Sequence, residues 1–296
     1  MRCFSPYKKE TGESFPCGKC YNCLQRRVAG WSFRLQQEEK GAASAFFITL
    51  TYDIEHVPIT ENKWMTLNKA DIQKWLKRLR KAHYKYATEG YKDLKLKYYL
   101  CGEYGTKSDR PHYHVILFNA DLAVMLDKKL ARQVELGNLE LDGQSPMQIE
   151  SWTQGHVTIG RVETGSILYT LKYMSKPSRI PKHNQDDRSK EFANMSKGLG
   201  KSYLSEEMIK WHREDALERA YIPIGNDIKI AIPRYYRESI FEPWHREAIQ
   251  AHLQLKEVEW QKNSTPDQRK KKREEEYQSM MVRMKKHEKD QRNNKI

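Results

Sequence analysis

Hydrophobic period changes along this chain, and each change marks an element. Residues 45–52, Ala-Phe-Phe-Ile-Thr-Leu-Thr-Tyr, are an apolar, β-rich run and predict a buried strand. From residue 68 to about 86, Ile72, Trp75, Leu76 and Leu79 recur at i, i+3, i+4, i+7, with Lys and Arg between them. That spacing predicts an amphipathic helix with a basic outer face and Trp75 in the core. Residues 95–103 and 112–118 read as two strands, joined by a loop containing Gly105, Ser108, Asp109 and Pro111. A weaker helix is predicted over 121–136, and another strand over 156–162. Gly165 then precedes a helix over 167–175, which Pro177 ends. The order β-α-β-β-α-β-α, with one tight β-β connection, predicts an α+β fold: a central antiparallel sheet with helices packed on it.

Past residue 180 the periodicity weakens. Residues 205–221 and 239–260 read as helical, with 222–233 irregular between them. From Lys262 onward Lys and Arg outnumber Asp and Glu two to one, which predicts a solvated or frayed basic helix. Four segments result: a Cys-rich segment and helix at 1–44, the sheet core at 45–180, a mostly helical region at 181–261, and a basic tail at 262–296, disordered or an extended helix. No internal repeat is visible.

Composition narrows the function classes. The chain has 296 residues, 53 Lys+Arg against 39 Asp+Glu, and a formal net charge of +14. Such an excess attracts polyanions, so nucleic acid leads as partner and anionic membrane follows. No apolar run is long enough to span a bilayer, and the first residues lack a signal-peptide core. The expected location is the cytoplasm, with no membrane partner. Seventeen Tyr and seven Trp could supply stacking platforms for single-stranded bases, and the 269–273 run would add salt-dependent affinity.

The densest chemistry is Arg110-Pro111-His112-Tyr113-His114-Val115-Ile116-Leu117-Phe118. On a strand, His112 and His114 share one face while Tyr113 takes the other. If the two strands form a hairpin, Glu103 reaches the same region. Two imidazoles and a carboxylate make a divalent-metal site with open positions. The set would accept zinc or iron, but phosphate chemistry points to Mg²⁺ or Mn²⁺. Downstream, Tyr169 and Tyr173 are i, i+4 neighbours on a helix, and each has a lysine three residues later, Lys172 and Lys176. A phenol of pKa about 10 needs such an ammonium, and a metal on the phosphate, to act as a nucleophile.

Phe-Ile-Thr-Leu-Thr-Tyr, Pro-His-Tyr-His-Val-Ile-Leu-Phe and Tyr-x-x-Lys-Tyr-x-x-Lys occur in that order. Together they resemble the three motifs of the HUH-type rolling-circle replication initiators. The paired tyrosines and the N-terminal Cys cluster are most similar to those of the small single-stranded DNA phages of the gokushovirus group. The resemblance covers residues 45–178 and implies an HUH endonuclease core of RRM/ferredoxin-like type. It also implies a two-histidine metal site completed by Glu103, and tyrosine attack on a DNA phosphodiester. The products would be a 5′-phosphotyrosine link and a free 3′-OH that primes synthesis. Replication-origin DNA would be the substrate, host helicase and polymerase the partners, and the bacterial host's cytoplasm the location. The strand at 49–52 would lie beside DNA, with Thr49, Thr51 and Arg110 as contact residues.

Cys3, Cys17, Cys20 and Cys23 offer C-x13-C-x2-C-x2-C, which suits a structural Zn²⁺ or four free thiols. Arg26 and Arg27 beside it are candidates for phosphate contact. Cys101 reads as a small buried apolar residue and His156 as structural; Trp152 is undecided. Gly198-Leu199-Gly200-Lys201-Ser202 is no phosphate loop, because the pattern needs glycine where Met195 stands. Three other readings stay open: a transposase or relaxase with the same chemistry, a non-catalytic zinc-containing nucleic-acid-binding protein, and a zinc hydrolase of small substrates.

Overall fold

The computed structural model describes residues 3–293 except 11–13, 106–107, 127, 176–179 and 226–227, and leaves aside the side chains of 128, 172–175 and 287–293. In chain order the elements begin with β1 (Tyr7–Lys8), β2 (Ser14–Phe15), α1 (Tyr21–Lys40), β3 (Ala45–Tyr52) and α2 (Lys69–Tyr86). Then come β4 (Lys97–Tyr104), β5 (Pro111–Phe118), α3 (Leu122–Met125), α4 (Lys128–Glu135), β6 (Met147–Ile149), β7 (Trp152–Arg161) and α5 (Thr164–Ser175). The chain finishes with β8 (Phe192–Met195), α6 (Glu206–Glu214), β9 (Tyr221–Pro223), β10 (Lys229–Ala231), α7 (Arg234–Ile240), α8 (Pro243–Asn263) and α9 (Pro266–Asn293). Contacts divide the chain into two units, Ser32–Ser202 and the pair of segments Met1–Trp31 and Tyr203–Ile296.

The Ser32–Ser202 unit is α+β. Its six-stranded sheet has the order β6-β7-β3-β5-β4-β8, with every neighbouring pair antiparallel. β3 alternates half-buried and buried residues along its whole length. Phe46, Ile48, Leu50 and Tyr52 point to one face, where Ile72, Trp75, Leu76 and Leu79 of α2 join them in the main core. Asn68 caps α2 by accepting from the Ala70 N–H, and Tyr113 of β5 fixes that cap from the sheet. Its hydroxyl accepts from the Asn68 N–H at 2.9 Å and donates to the Asn68 carbonyl at 2.8 Å. Trp152 is 1% exposed and belongs to the same core.

Several boundaries differ from the sequence expectation. β7 begins at Trp152 rather than 156, because pairing with β3 continues to Gly155 opposite Tyr52. A Cβ on Gly155 would lie 2.2 Å from the Thr51 carbonyl oxygen, so only glycine permits that approach. The predicted helix over 121–136 is two helices. Met125 and Leu126 are both buried, and Leu126 becomes extended, since successive helical residues point about 100° apart. Past residue 180, β8 supplies the sheet's edge strand on β4; so short a run carries too little period to announce a strand.

In the other unit, Ser205 caps α6, and Pro243 at the first turn of α8 separates it from α7 where one helix was expected. β9 and β10 form a hairpin within the stretch read as irregular. The basic tail contributes the helix α9. No helix among the described residues is long and apolar enough to cross a membrane.

Candidate metal and nucleophile site

Strand pairing builds the site. Thr51 of β3 pairs with His112 of β5, which pairs with Glu103 of β4; one step along, Thr49 pairs with His114, which pairs with Cys101. Directly paired antiparallel residues share a face, and these are the positions that alternate with the core residues. The sheet face opposite α2 therefore collects Glu103, His112, His114, Thr49 and Thr51.

The hydrogen bonds are specific. His112 Nε2 lies 2.7 Å and His114 Nε2 2.9 Å from the same Glu103 oxygen, Oε1. The far nitrogens are fixed as well: His112 Nδ1 meets the Arg110 carbonyl at 3.1 Å, and His114 Nδ1 meets Thr49 Oγ1 at 2.9 Å. A carbonyl can only accept, so His112 carries its proton on Nδ1 for that contact, and Nε2 is the nitrogen available to a metal. Both imidazoles thus aim Nε2 at one point beside the carboxylate.

Glu103 is 3% exposed. Burial alone would raise its pKa; hydrogen bonds from His112 and His114, with their charge, outweigh burial and lower it. Its second oxygen, Oε2, is buried and has no hydrogen-bond partner among the described residues. One ligand atom from each of the three residues lies within 4.8 Å of the others. A buried carboxylate oxygen with an unused lone pair, between two aimed nitrogens, fits a divalent cation with positions left open.

α5 runs back over this face. Ile167 and Leu171 are fully buried, and the Thr170 carbonyl lies 3.9 Å from Cys101 Sγ. Tyr169 packs edge-on to His114, ring centroids 5.2 Å apart, and to Phe47 at 6.1 Å. Lys172 and Tyr173 lie on α5, but their side chains, like the whole of Lys176, fall outside the described residues. The helix starts beyond Arg161, which pairs with Phe46, and passes Cys101 at Thr170. Residue 173 therefore lies further along the helix, toward the row of Glu103 and His112.

Two residues expected to contact DNA are engaged within the protein. The Thr49 hydroxyl meets His114, and Arg110 donates from Nη2 to the Tyr52 carbonyl at 2.6 Å. Thr51 stays on the face beside His112. His156, expected to be structural, pairs with Thr51 and extends the same row. Two strand spacings of about 4.8 Å separate its backbone from that of His112, which sets it beyond the cation position. Thr49 and Arg110 as orienting partners, and His156 in the row, were invisible until the pairing was known. The usable signal was the alternation within Phe-Ile-Thr-Leu-Thr-Tyr, which puts both threonines on the non-core face.

The four N-terminal cysteines form a second group, in the other unit. Their sulfurs all lie within 4.8 Å of one another, and none forms a disulfide. The backbone N–H groups of Cys20 and Lys19 bring the Cys17 thiol down to about 6, whereas burial pushes Cys23 up to about 12. Arg27, on the first turns of α1, reaches the Gly18 carbonyl through Nη2 at 3.5 Å; Arg26 lies beside it on the same helix.

An antiparallel sheet that gathers His-x-His and a neighbouring carboxylate beneath a tyrosine-bearing helix defines an α+β protein with a candidate metal centre. Comparison with known proteins gives the family. A sequence profile of the replication-associated protein ORF2 family matches residues 45–178. The replication-associated protein ORF2 of Spiroplasma virus 4 is 30% identical over 240 residues, covering 79% of this chain and 70% of that protein. The replication-associated protein VP4 of Bdellovibrio phage phiMH2K is 30% identical over 226 residues, covering 76% and 67%. The replication-associated protein ORF4 of Chlamydia phage 1 is 25% identical over 240 residues, covering 78% of this chain and 54% of its own. The chain belongs to this family, the replication-associated proteins of small single-stranded DNA phages.

Proposed function

We propose that this protein initiates rolling-circle replication by nicking and rejoining single-stranded origin DNA through tyrosine transesterification. The observation that carries the reading is the convergence of His112, His114 and Glu103 on one point, with the tyrosine helix α5 packed across the same sheet face.

Glu103, His112 and His114 would hold Mg²⁺ or Mn²⁺, which supplies Lewis-acid neutralisation of a phosphodiester's charge. The chain's own groups do the rest. Thr49 and the Arg110 carbonyl keep both Nε2 atoms aimed. A tyrosine oxygen from α5, Tyr173 or Tyr169, loses its proton to solvent and attacks phosphorus. Its P–O bond forms as the bond to the 3′ oxygen breaks, and that oxygen takes up a proton to become the 3′-OH. One phosphoester is exchanged for another, so rejoining needs no ATP, and a second tyrosine permits a second exchange while the first is occupied. Lys172 and Lys176 stabilise phenolate or phosphate charge. Tyr173 is the preferred first nucleophile because it lies one turn, about 6 Å, beyond Tyr169 toward Glu103 and His112. Thr51 and the basic α2 surface, with Arg26 and Arg27, contact the DNA backbone, and host helicase and polymerase extend the product.

The test is incubation of the protein with labelled single-stranded origin DNA and Mn²⁺. An SDS-resistant adduct should form, vanish with EDTA, and be absent from the Tyr169→Phe/Tyr173→Phe double variant. DNA binding without an adduct would leave a non-catalytic nucleic-acid-binding protein. Turnover without an adduct would leave a hydrolase.

A further inference from the structure

Beyond the nicking site, the N-terminal cysteines carry a chemistry that the reaction does not use. We infer that Cys3, Cys17, Cys20 and Cys23 bind one structural Zn²⁺, independent of the Glu103–His112–His114 centre. A tetrahedron with Zn–S bonds of about 2.3 Å has S···S edges of about 3.8 Å. Cys3 Sγ and Cys20 Sγ are 3.9 Å apart, and all four sulfurs lie within 4.8 Å. A disulfide needs about 2.05 Å, so the spacing is that of a cage rather than of bonded pairs.

The backbone is shaped for thiolates. Lys19 and Cys20 both donate their N–H to Cys17 Sγ, at 3.5 and 3.3 Å, and Cys17 donates its own N–H to Cys3 Sγ at 3.2 Å. Three N–H donors to sulfur stabilise negative charge there, which neutral thiols do not require. Gly18 makes the knuckle possible: its φ of +73° is a conformation that a side chain would strain. The Leu24 N–H closes the first turn of α1 on the Cys20 carbonyl at 3.0 Å, so Cys20 and Cys23 sit at that helix's positive end.

Four thiolates fill zinc's coordination and leave no position for water, which makes the site structural. It fastens the segment carrying Cys3 to the start of α1. The two centres also differ in ligand softness: thiolates select Zn²⁺, whereas carboxylate and imidazole with open positions suit the harder nicking cation.

The experiment measures metal and thiols together on the full chain, purified without chelator. Mass spectrometry of metals should find about one zinc per chain in the wild type and in His112→Ala/His114→Ala, and none in Cys17→Ser/Cys20→Ser. A Cys101→Ala background leaves only the cluster's thiols to titrate. They should resist Ellman's reagent until zinc is stripped, and then all four should react. Co²⁺ replacement should give the thiolate charge-transfer bands of a tetrahedral site. Should the cysteine variant fail to fold, the stripped wild type still decides. Zinc that follows the histidines, cysteines that titrate at once in the untreated chain, or cysteines that react only after reduction would each overturn the inference. The DNA adduct assay plays no part in these readouts, so the zinc site and the nicking reaction can fail separately.

Discussion

Thr49→Val separates an orienting role from a DNA-contact role. The valine keeps the branched shape and the β-strand preference of threonine but loses the hydroxyl that meets His114 Nδ1 at 2.9 Å. Thr49 lies on the half-buried, non-core side of β3, so the core that holds the sheet is untouched. One neutral hydrogen bond is worth about 0.5–1.5 kcal/mol, and partners behind metal-bound imidazoles typically change affinity by about 10–100-fold. The two ranges meet near tenfold, or about 1.4 kcal/mol. Calorimetric titration of metal-free protein with Mn²⁺ should therefore give a Kd about tenfold weaker. Adduct formation should fall at limiting Mn²⁺ and recover at saturation, with DNA affinity in EDTA unchanged. Unaltered Mn²⁺ affinity together with weakened DNA binding would refute the reasoning and return Thr49 to the DNA.

Two further changes test the electrostatics. Glu103→Gln should reduce Mn²⁺ affinity by more than Thr49→Val does, because it removes a ligand oxygen's charge rather than a bond behind one. It should also flatten the acid limb of the metal-free protein's stability curve. The folded pKa of Glu103 is depressed, so its contribution is present above the unfolded value of about 4.3 and is lost as pH falls toward the folded value. Denaturant titrations of both proteins across that window check the sign. Arg188→Met removes a guanidinium whose side chain is 1% exposed and which pairs with Asp186 at 2.8 Å and Asp109 at 3.2 Å. Stranding those carboxylates should cost about 3 kcal/mol at neutral pH, the low end for a broken buried pair, because Asp109 keeps some solvent contact. Arg188 holds Asp186 far below the usual carboxylate range, so the cost should shrink as acid protonates both aspartates; a cost that grew in acid would refute it.

Much of this was legible because strong period and local chemistry agreed. The 45–52 strand, the α2 helix with its Asn68 cap, and the β4–β5 hairpin follow from runs of residues whose neighbours in sequence are also their neighbours in space. His112 and His114 share a face by alternation alone, and Glu103 joins them because the hairpin connection is short. What could not be read was non-local. The position of β7 on the other side of β3 brings His156 into the row, and the return of the chain as β8 depends on pairing with β4. Neither leaves a mark in its own few residues. The split of the 121–136 helix has the same origin, in the burial of Met125 and Leu126 together, which tertiary packing imposes against helical propensity.

Register ties core and chemistry together. Phe46, Ile48, Leu50 and Tyr52 must face α2, and that requirement leaves Thr49 opposite His114 and Thr51 opposite His112. A one-residue slip of β3 would put Ile48 or Leu50 against His114 and turn the threonine hydroxyls into the core, where they would lack partners. Tyr113 enforces the same register from the other side. Its hydroxyl is bonded to the α2 cap and to Tyr52 at 2.8 Å, so β5 cannot shift without breaking the bonds that begin α2. The two histidines flank a residue locked into the core, and their aim at the cation position is therefore inherited from folding energy. A site of this kind is set by the alternation of an apolar strand, and its ligands can be rigid before any metal or DNA arrives.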